Sequence, residues 1–182
     1  MSKIALTPSA TGTGVFTISS PATNTDRTLT LPDEAGTVLT SASSITQNAG
    51  PAFSAWQSTQ QALSAYTQTK ILFQTEEYDT NNNFDSSRFT PTVAGYYLMS
   101  GKIAPLSSYS AGITAIYKNS GAYKYGSYNN NSTGVAQPSM SCIVYCNGST
   151  DYVELYAALT IAQDTAPEQV QTWFQGILVR AA

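Results

Sequence analysis

The stretch that decides the fold runs from Phe84 to Met99 and reads Phe-Asp-Ser-Ser-Arg-Phe-Thr-Pro-Thr-Val-Ala-Gly-Tyr-Tyr-Leu-Met. Pro91 restricts its own φ and lacks a backbone N–H donor, whereas Gly95 can adopt a positive φ. The aromatic and apolar residues from Tyr96 onward favour a strand. This stretch therefore predicts a chain that turns a corner and then enters a β-strand.

Apolar and polar residues alternate in several short segments after residue 50. Such period-two alternation is typical of strands with one buried face. The predicted faces are Tyr97, Met99 and Ile103, then Ile113, Ala115 and Tyr117, and then Met140, Cys142, Val144 and Cys146. Turn-forming residues at 118–121 and 147–149 separate further strands that begin at Tyr123, at Tyr152 and at Thr172. Many short strands without a clear helix predict an all-β, two-sheet sandwich.

Composition excludes several kinds of partner. Charged residues make up 10% of the 182 residues, the formal net charge is -3, and the eight Lys and Arg are scattered. Without a basic patch to neutralise phosphates, neither nucleic acid nor an anionic membrane is an expected partner. No apolar run approaches the roughly 20 residues of a membrane span, and the N-terminus lacks the apolar region of a signal peptide. We expect a soluble protein without membrane insertion.

The two cysteines, Cys142 and Cys146, are predicted to be reduced. Four residues of a regular strand separate them by about 13 Å, which exceeds the roughly 7 Å that a disulfide spans. The chain contains no His, and no other strong ligand lies near the pair in the sequence. Two small apolar side chains are therefore favoured over a metal site.

The acidic loop Asp79–Asp85 places oxygen atoms at alternate positions, as a calcium-binding loop does. However, Phe84 stands where such a loop needs Gly, and Thr90 stands where it needs a bidentate Glu, so a plain surface loop is favoured. Glu76 and Glu77 could be paired carboxylates of a glycosidase, but adjacent acidic residues in a loop are usually solvated. With no His as general base, we expect no catalytic residue, metal or cofactor, and no enzyme.

The chain is predicted to have two parts, an N-terminal β module with a linker at residues 1–49 and a head at residues 50–182. Alternation in Thr28–Leu31 and turn-forming residues in Pro32–Gly36 predict a β-hairpin. Its few large apolar residues cannot form an independent core, so it must pack on copies of itself or on another protein. A stretch rich in Ser, Ala, Thr and Asn follows and predicts the linker.

The order of sequence landmarks from residue 51 to 180 resembles the complement C1q/tumour necrosis factor jelly-roll family. The landmarks are Phe53, residues 70–73 and 78–84, Phe89-Thr90-Pro91, Gly95-Tyr96-Tyr97, and residues 116–119, 151–155 and 174–178. The family usually opens its next-to-last strand with Gly-Asp, whereas Ser149-Thr150-Asp151 keeps only the Asp. The resemblance favours a strand over a helix at Pro51–Trp56 and a second strand at Thr69–Phe73. It implies a ten-strand jelly roll that forms compact homotrimers.

The N-terminal module resembles a different group of proteins. The segment Arg27-Thr-Leu-Thr-Leu-Pro-Asp-Glu-Ala-Gly-Thr-Val-Leu39 is similar to a segment that recurs in bacteriophage tail-fibre and tail-associated proteins. This resemblance implies a structural virion protein whose N-terminal module contacts other virion proteins. Such a protein is made in the host bacterial cytoplasm and becomes part of the virion surface.

The region from Tyr117 to Asn131 is the candidate binding surface. Tyr combines a flat apolar ring with a hydroxyl, and Asn adds donors and acceptors, a mixture suited to host cell-surface glycans or proteins. The candidate binding residues are Tyr123, Tyr125, Tyr128, Asn129, Asn130 and Asn131. Alternatively, the first two of these tyrosines fill the trimer interface, where the C1q-like family places aromatic residues.

The sequence thus predicts a trimeric virion protein at the tip of a phage tail fibre or appendage, which binds a host receptor. One alternative is a capsid or head decoration protein of the same fold that stabilises the particle. A second is a secreted C1q-like lectin or adhesin, which the missing signal peptide disfavours. A third is a sugar-cleaving enzyme, which only the acidic residues before the Asn-rich loop would support.

Overall fold

The computed structural model describes residues 10–15, 17–19, 22–26, 28, 50–106, 111–130 and 137–182. The chain divides into two units, Met1–Ser44 and Ile45–Ala182. The described residues of the first unit include neither a helix nor a strand, and Val15 and Ile18 among them are exposed. The predicted hairpin turn at Pro32–Gly36 and linker residues 41–49 lie outside the described residues.

The described residues of the second unit form strands, turns and irregular segments, and none of them is helical. The strands are β1 Ala52–Trp56, β2 Ala62–Leu63, β3 Thr69–Lys70, β4 Thr75–Asp79, β5 Phe84–Asp85, β6 Arg88–Phe89, β7 Ala94–Lys102, β8 Ala111–Lys118, β9 Gly121–Tyr125, β10 Asn129–Asn130, β11 Ser139–Asn147, β12 Val153–Leu159, β13 Gln163–Asp164 and β14 Trp173–Ala181. Accordingly, this part of the chain contains no helix that could cross a membrane.

Two antiparallel sheets form the sandwich. The first sheet has the order β11-β7-β14-β1-β4. The second has the order β10-β8-β12-β6-β5, with β9 paired to β8 and β3 paired to β12. The strands β13 and β2 form a separate two-stranded sheet. The predicted all-β sandwich is confirmed, and the long strands β7, β8, β11, β12 and β14 coincide with predicted strands.

The segment from Pro51 to Phe73 agrees with the prediction only in part. Residues 52–56 form a strand that pairs with both β14 and β4, so the preference for a strand over a helix is confirmed. Of the predicted second strand, Thr69 and Lys70 form β3 and pair with β12, and the backbone N–H of Ile71 donates to the Leu155 carbonyl of β12 at 2.9 Å. Further along, the backbone N–H of Phe73 donates to the Ser87 hydroxyl at 2.7 Å. A side chain thus takes the hydrogen bond that a strand neighbour would have accepted.

The core is built around Phe53, which is fully buried. Its ring stacks on Phe84 and Phe89 with centroid distances of 4.6 and 4.5 Å, and it meets Phe174 edge-on at 5.0 Å. These four rings come from β1, β5, β6 and β14, so they join the two sheets. Each buried ring removes a large apolar area from water, and mixed stacked and edge-on contacts are the preferred aromatic geometries.

The corner predicted at Pro91 is present between β6 and β7. Tyr97, buried just after the corner, donates its hydroxyl to the Val93 carbonyl at 2.6 Å. Gly95 does not adopt a positive φ, contrary to expectation. Glycine is needed there because a Cβ would lie 2.4 Å from the Arg180 carbonyl oxygen of the adjacent strand β14.

The turns after β8 and β11 follow the sequence closely. Asn119 and Ser120 have φ of 52° and 66°, the left-handed values of a tight two-residue hairpin turn. Gly148, with φ of 72°, turns the chain from β11 toward β12. The Asn147 side-chain oxygen accepts the backbone N–H groups of Ser149, Thr150 and Asp151, each at 3.0 Å. Local polar residues therefore fix both hairpins.

Both cysteines are free, as predicted. Cys146 is fully buried and Cys142 is partly buried, and both side chains lie on the core face of β11 with Met140 and Val144. Burial raises the pKa of the Cys146 thiol to about 11 and also raises the pKa of Cys142. Neutral thiols in these positions act as small apolar side chains.

Candidate binding surfaces

The outer face of the first sheet carries a cluster of exposed apolar residues, which we call the apolar face. Its members are between 40% and 53% exposed and come from four strands of this sheet, namely Tyr78, Tyr96, Leu98, Ile143, Tyr145, Ile177 and Val179. Leu98 is the cross-strand partner of both Ile143 and Ile177, so three aliphatic side chains form a row. A contiguous apolar patch of this kind marks an interaction surface more often than scattered single residues do.

Sequence reasoning did not single out the apolar face. The signal was nevertheless present in β7, β11 and β14, where apolar residues run on without alternation in 96–99, 143–146 and 177–179. Continuous apolar runs indicate strands that are covered on both sides. This face has two shallow depressions that side chains of a partner could fill. One, of about 540 Å³, lies beside Tyr96 and Ile143, and the other, of about 130 Å³, lies beside Tyr78 and Leu98.

The outer face of the second sheet has different chemistry. We call it the aromatic-ionic face, and it consists of Lys70, Arg88, Tyr117, Tyr125, Tyr152, Glu154 and Tyr156. In β12, Glu154 and Tyr156 alternate with the core residues Val153, Leu155 and Ala157 and therefore point outward. Tyr117 and Tyr156 stack with a centroid distance of 3.8 Å. Burial raises the pKa of both phenols, so they stay neutral and can donate hydrogen bonds at ordinary pH.

Glu154 organises the charges of this face. It is 2% exposed, and its Oε1 accepts from Lys70 Nζ at 2.8 Å and from Arg88 Nε at 2.9 Å. The hydrogen bond to Glu154 raises the pKa of Arg88. The Arg88 guanidinium carbon lies 3.9 Å from the centre of the Tyr152 ring, a cation–π contact. The carboxylate and the ring together hold the guanidinium in one orientation.

The predicted binding residues lie partly on this face. Tyr125 is 57% exposed, is the cross-strand partner of Ala115 and, after burial, contributes to the raised pKa of Tyr117. Tyr123, next to Lys124 in β9, and Tyr128, between β9 and β10, are also exposed, at 41% and 58%. The structure therefore brings one predicted residue, Tyr125, into the tyrosine group of the aromatic-ionic face.

Two of the three predicted binding asparagines lie in a short strand. Asn129 and Asn130 form β10, and their backbones pair with Gly112 and Ala111 of β8. Asn131 lies outside the described residues. Sequence reasoning missed the residues that β12 and β6 add to this surface, because nothing in the local sequence of Arg88, Tyr152 or Tyr156 connects them with Tyr125.

Two of the acidic residues considered for calcium binding or glycoside hydrolysis, Asp79 and Glu77, accept hydrogen bonds from the protein itself. The Asp79 carboxylate accepts the backbone N–H groups of Phe84 at 2.7 Å and Asn81 at 3.3 Å, which closes the loop between β4 and β5. Glu77 accepts a hydrogen bond from the Ser54 hydroxyl at 3.0 Å. In the described parts of the chain, His, Cys, Asp and Glu form no cluster of three or more that could hold a metal ion.

Asp151, the one residue of the family's Gly-Asp pair that is present, also has a structural environment. Lys118 Nζ lies 2.8 Å from its Oδ2, Asn119 donates to Oδ1 at 2.7 Å, and the Asn147 N–H donates to Oδ2 at 3.0 Å. The hydrogen bonds from Lys118 and Asn119 lower the pKa of this carboxyl below its ordinary value. Asp151 thereby links the two hairpin turns at this end of the sandwich.

Solved structures with the same fold include members of the C1q and tumour necrosis factor group. The globular domain of the zebrafish complement 1qA protein superposes with a TM-score of 0.55 at 16% identity, over 73% of this chain and 99% of that one. Eiger TNF from S. frugiperda gives 0.53 at 10% identity, over 73% and 95%. Murine APRIL gives 0.52 at 8% identity, over 71% and 98%. No protein-family model matches the sequence, and no curated protein is similar to it.

At these identities the likeness establishes the fold, a C1q/TNF-like jelly-roll sandwich. The expected resemblance of the head to this group is confirmed at that level. The shares of the chain that superpose, 71% to 73%, correspond in size to the predicted head.

Proposed function

We propose that the chain is a homotrimeric binding protein of a virion, and that the apolar face of the first sheet forms the contacts between subunits. The observation that carries this proposal is the row of Ile143, Leu98 and Ile177, three half-exposed aliphatic side chains on adjacent strands. Burying such side chains releases about 25 cal/mol for each Å² of apolar surface. The C1q/TNF-like fold supports three as the number of subunits, since the resemblance implies compact trimers.

The same arrangement leaves the aromatic-ionic face free to bind a receptor. The apolar face lies outside the first sheet, whereas the aromatic-ionic face lies outside the second, so the core separates them. Subunits that associate through the first face therefore display the second one. A closed, symmetric trimer would present the aromatic-ionic face three times, which increases avidity for a receptor that is repeated on a surface.

The assignment to a virion is supported by the resemblance of residues 27–39 to phage tail-fibre and tail-associated proteins. In this proposal the N-terminal module attaches the trimer to other virion proteins, and the protein is made in the cytoplasm of the bacterial host. Labelled electron microscopy of purified particles tests the location. A label at a fibre or appendage tip is expected, whereas a label spread over the capsid would indicate a decoration protein and no label would contradict the assignment.

Analytical ultracentrifugation of the full chain tests the trimer. At micromolar concentration the sedimenting mass should be about three times the 19.4 kDa of one chain. Leu98→Asp places a charge in the middle of the aliphatic row, and we expect it to yield monomers because a buried, unpaired carboxylate is costly. Leu72→Asp is the matched control, because Leu72 is 44% exposed but lies outside the apolar face. A monomeric wild type, or equal effects of the two changes, would contradict the proposed interface.

A further inference from the structure

We propose that the aromatic-ionic face binds a neutral carbohydrate, with a sugar ring against its tyrosines and adjacent sugar hydroxyls hydrogen-bonded to Arg88. This inference rests on the proposed receptor-binding function, because it names the chemical class of the receptor. It adds a location on β12, β8 and β6 that differs from the loop between β9 and β10.

The tyrosine group provides the surface for a sugar ring. Tyr117 and Tyr156 stack on each other, and Tyr125 extends the group toward solvent. Beneath them Ala115, which shares the outward side of β8, is fully buried, so the rings form a continuous cover. A pyranose has an apolar C–H side and a rim of hydroxyls. Neutral tyrosines match both parts, since each ring offers an apolar face and a hydroxyl that donates and accepts.

Arg88 provides directed donors beside this surface. Its Nε is used by Glu154 and its plane is held against Tyr152, while its side chain remains 44% exposed. The two terminal nitrogens donate no hydrogen bond to the described part of the chain. A guanidinium held in one orientation presents parallel N–H groups, a geometry that suits two oxygen atoms on neighbouring carbons.

Charge balance favours a neutral ligand. A concavity of about 490 Å³ beside Arg88 is also lined by Lys70, Asp85 and the polar side chains of Asn82 and Ser86. With the buried Glu154, two positive and two negative charges meet here, and Lys70 and Arg88 already share one carboxylate. An additional anion would have no uncompensated cation to bind. The mixture of donors and acceptors at this site instead suits a ligand that is rich in hydroxyl groups.

The contrast with the apolar face favours a sugar over a protein at this site. Protein association is driven largely by the burial of apolar surface, which the first sheet supplies with Leu98, Ile143 and Ile177. The large side chains around Arg88 are instead half-buried tyrosines and paired ions. Such a surface offers hydrogen bonds beside its ring faces, as a ligand rich in hydroxyl groups requires.

The test is binding of the full-length chain to an array of neutral and acidic glycans, followed by titration calorimetry with the best neutral methyl glycoside at 50 and 500 mM NaCl. We expect binding to neutral glycans with an affinity that salt leaves unchanged, because no ligand charge is screened. Tyr156→Ala and Arg88→Lys should each weaken binding by about tenfold or more, as loss of a central anchor does. Lysine at position 88 keeps the positive charge beside Glu154 but removes the planar donors.

Two controls separate a binding effect from a folding effect. Tyr66→Ala should retain wild-type affinity, because Tyr66 is 80% exposed and is not part of this face. If Tyr156→Ala fails to fold, Tyr125→Ala replaces it, since a ring that is 57% exposed contributes little to packing. Tyr125→Ala should also weaken binding severalfold. Wild-type affinity both in Arg88→Lys and in the tyrosine variant that folds would overturn the proposal that the aromatic-ionic face is the binding site.

Other outcomes would overturn the chemical class. Binding to acidic glycans alone, lost at high salt, would indicate that the ligand is an anion and not a neutral sugar. Equal binding to glycoproteins before and after enzymatic deglycosylation would indicate that the ligand is a protein and not a sugar. Absence of glycan binding by an intact trimer overturns this inference but leaves the proposed function standing, because subunit number and particle location are measured independently.

Discussion

Asp151→Asn is expected to destabilise the head although the two side chains have nearly the same shape. Asparagine keeps an oxygen that can accept from Asn119, the shortest of the three hydrogen bonds at 2.7 Å. Its NH₂ group replaces the Oδ2 atom that accepts from Lys118 and from the Asn147 N–H. The Lys118 ammonium and the Asn147 N–H would then face an NH₂ group, which can only donate, so both interactions are lost.

The size of the effect follows from these two losses. A hydrogen bond to a charged group contributes about 1.5–3 kcal/mol, but Lys118 is 22% exposed and can turn to water, which reduces its share to about 1 kcal/mol. The backbone N–H of Asn147 lies in a tight turn, and leaving it without an acceptor costs about 1–2 kcal/mol. The expected decrease in the free energy of unfolding at neutral pH is therefore about 2–3 kcal/mol.

The effect should depend on pH in a defined direction. The folded-state pKa of Asp151 lies below the ordinary value of 3.8, so the ionised carboxylate stabilises the folded state. This contribution is fully present above the unfolded pKa and is lost as the pH falls through the folded pKa. The difference between wild type and variant should thus be constant from about pH 8 to pH 5 and should shrink below about pH 4.

Urea unfolding followed by tryptophan fluorescence measures the difference, at one fixed chain concentration because association is coupled to folding. Asp85→Asn is the matched control, since Asp85 is exposed and, within the described residues, its side chain accepts only from the Ser86 hydroxyl. It should change stability by less than about 0.5 kcal/mol. An Asp151→Asn variant as stable as wild type at pH 7, or a difference that persists unchanged at pH 3, would refute the reasoning.

Three other outcomes follow from the structure. Gly148→Ala should cost more than about 1 kcal/mol in a thermal melt, because φ is 72° and the new Cβ would lie 2.4 Å from the backbone nitrogen of Ala94; an unchanged melting temperature would contradict this geometry. At pH 8, Ellman's reagent should modify Cys146 only after unfolding, since burial raises its pKa to about 11. Rapid modification of both thiols in the native protein would contradict this expectation and would mean that β11 opens easily. Tyr128→Ala, at a position 58% exposed, should preserve the trimer and weaken adsorption to host cells if the loop before β10 contributes to the receptor surface; full adsorption would exclude that loop.

Local sequence was sufficient for the long strands β7, β8, β11, β12 and β14 and for the turns that follow β8 and β11. The hairpin at Asn119 and Ser120 and the turn at Gly148 use residues that tolerate a positive φ, and this preference does not depend on distant contacts. Gly95 shows the limit of such reasoning. Its glycine is required by a carbonyl of β14, which is 85 positions further along the chain at Arg180, and no local pattern reveals that approach.

The composition of the candidate site could not be read from the sequence for a related reason. Tyr125, Tyr117 and Tyr156 come together through the register in which Tyr156 and Tyr125 both pair with Ala115. Alternation shows which side of a strand a residue occupies, but a shift of two residues preserves that pattern and changes every neighbour. The pairing of β8 with β12 was therefore needed to add Tyr156, and the contact with Tyr152 was needed to add Arg88.

The strand β12 separates the requirements of folding from those of binding by alternate positions. Val153, Leu155 and Ala157 are fully buried in the core, whereas Glu154 and Tyr156 between them belong to the outer face. Truncation of an odd-numbered residue creates a cavity in the core, so it should lower stability. Truncation of Tyr156 removes mainly an outward ring, so it should lower affinity first. Glu154 couples the two requirements, because its buried carboxylate stabilises the sheet and at the same time fixes the guanidinium of Arg88.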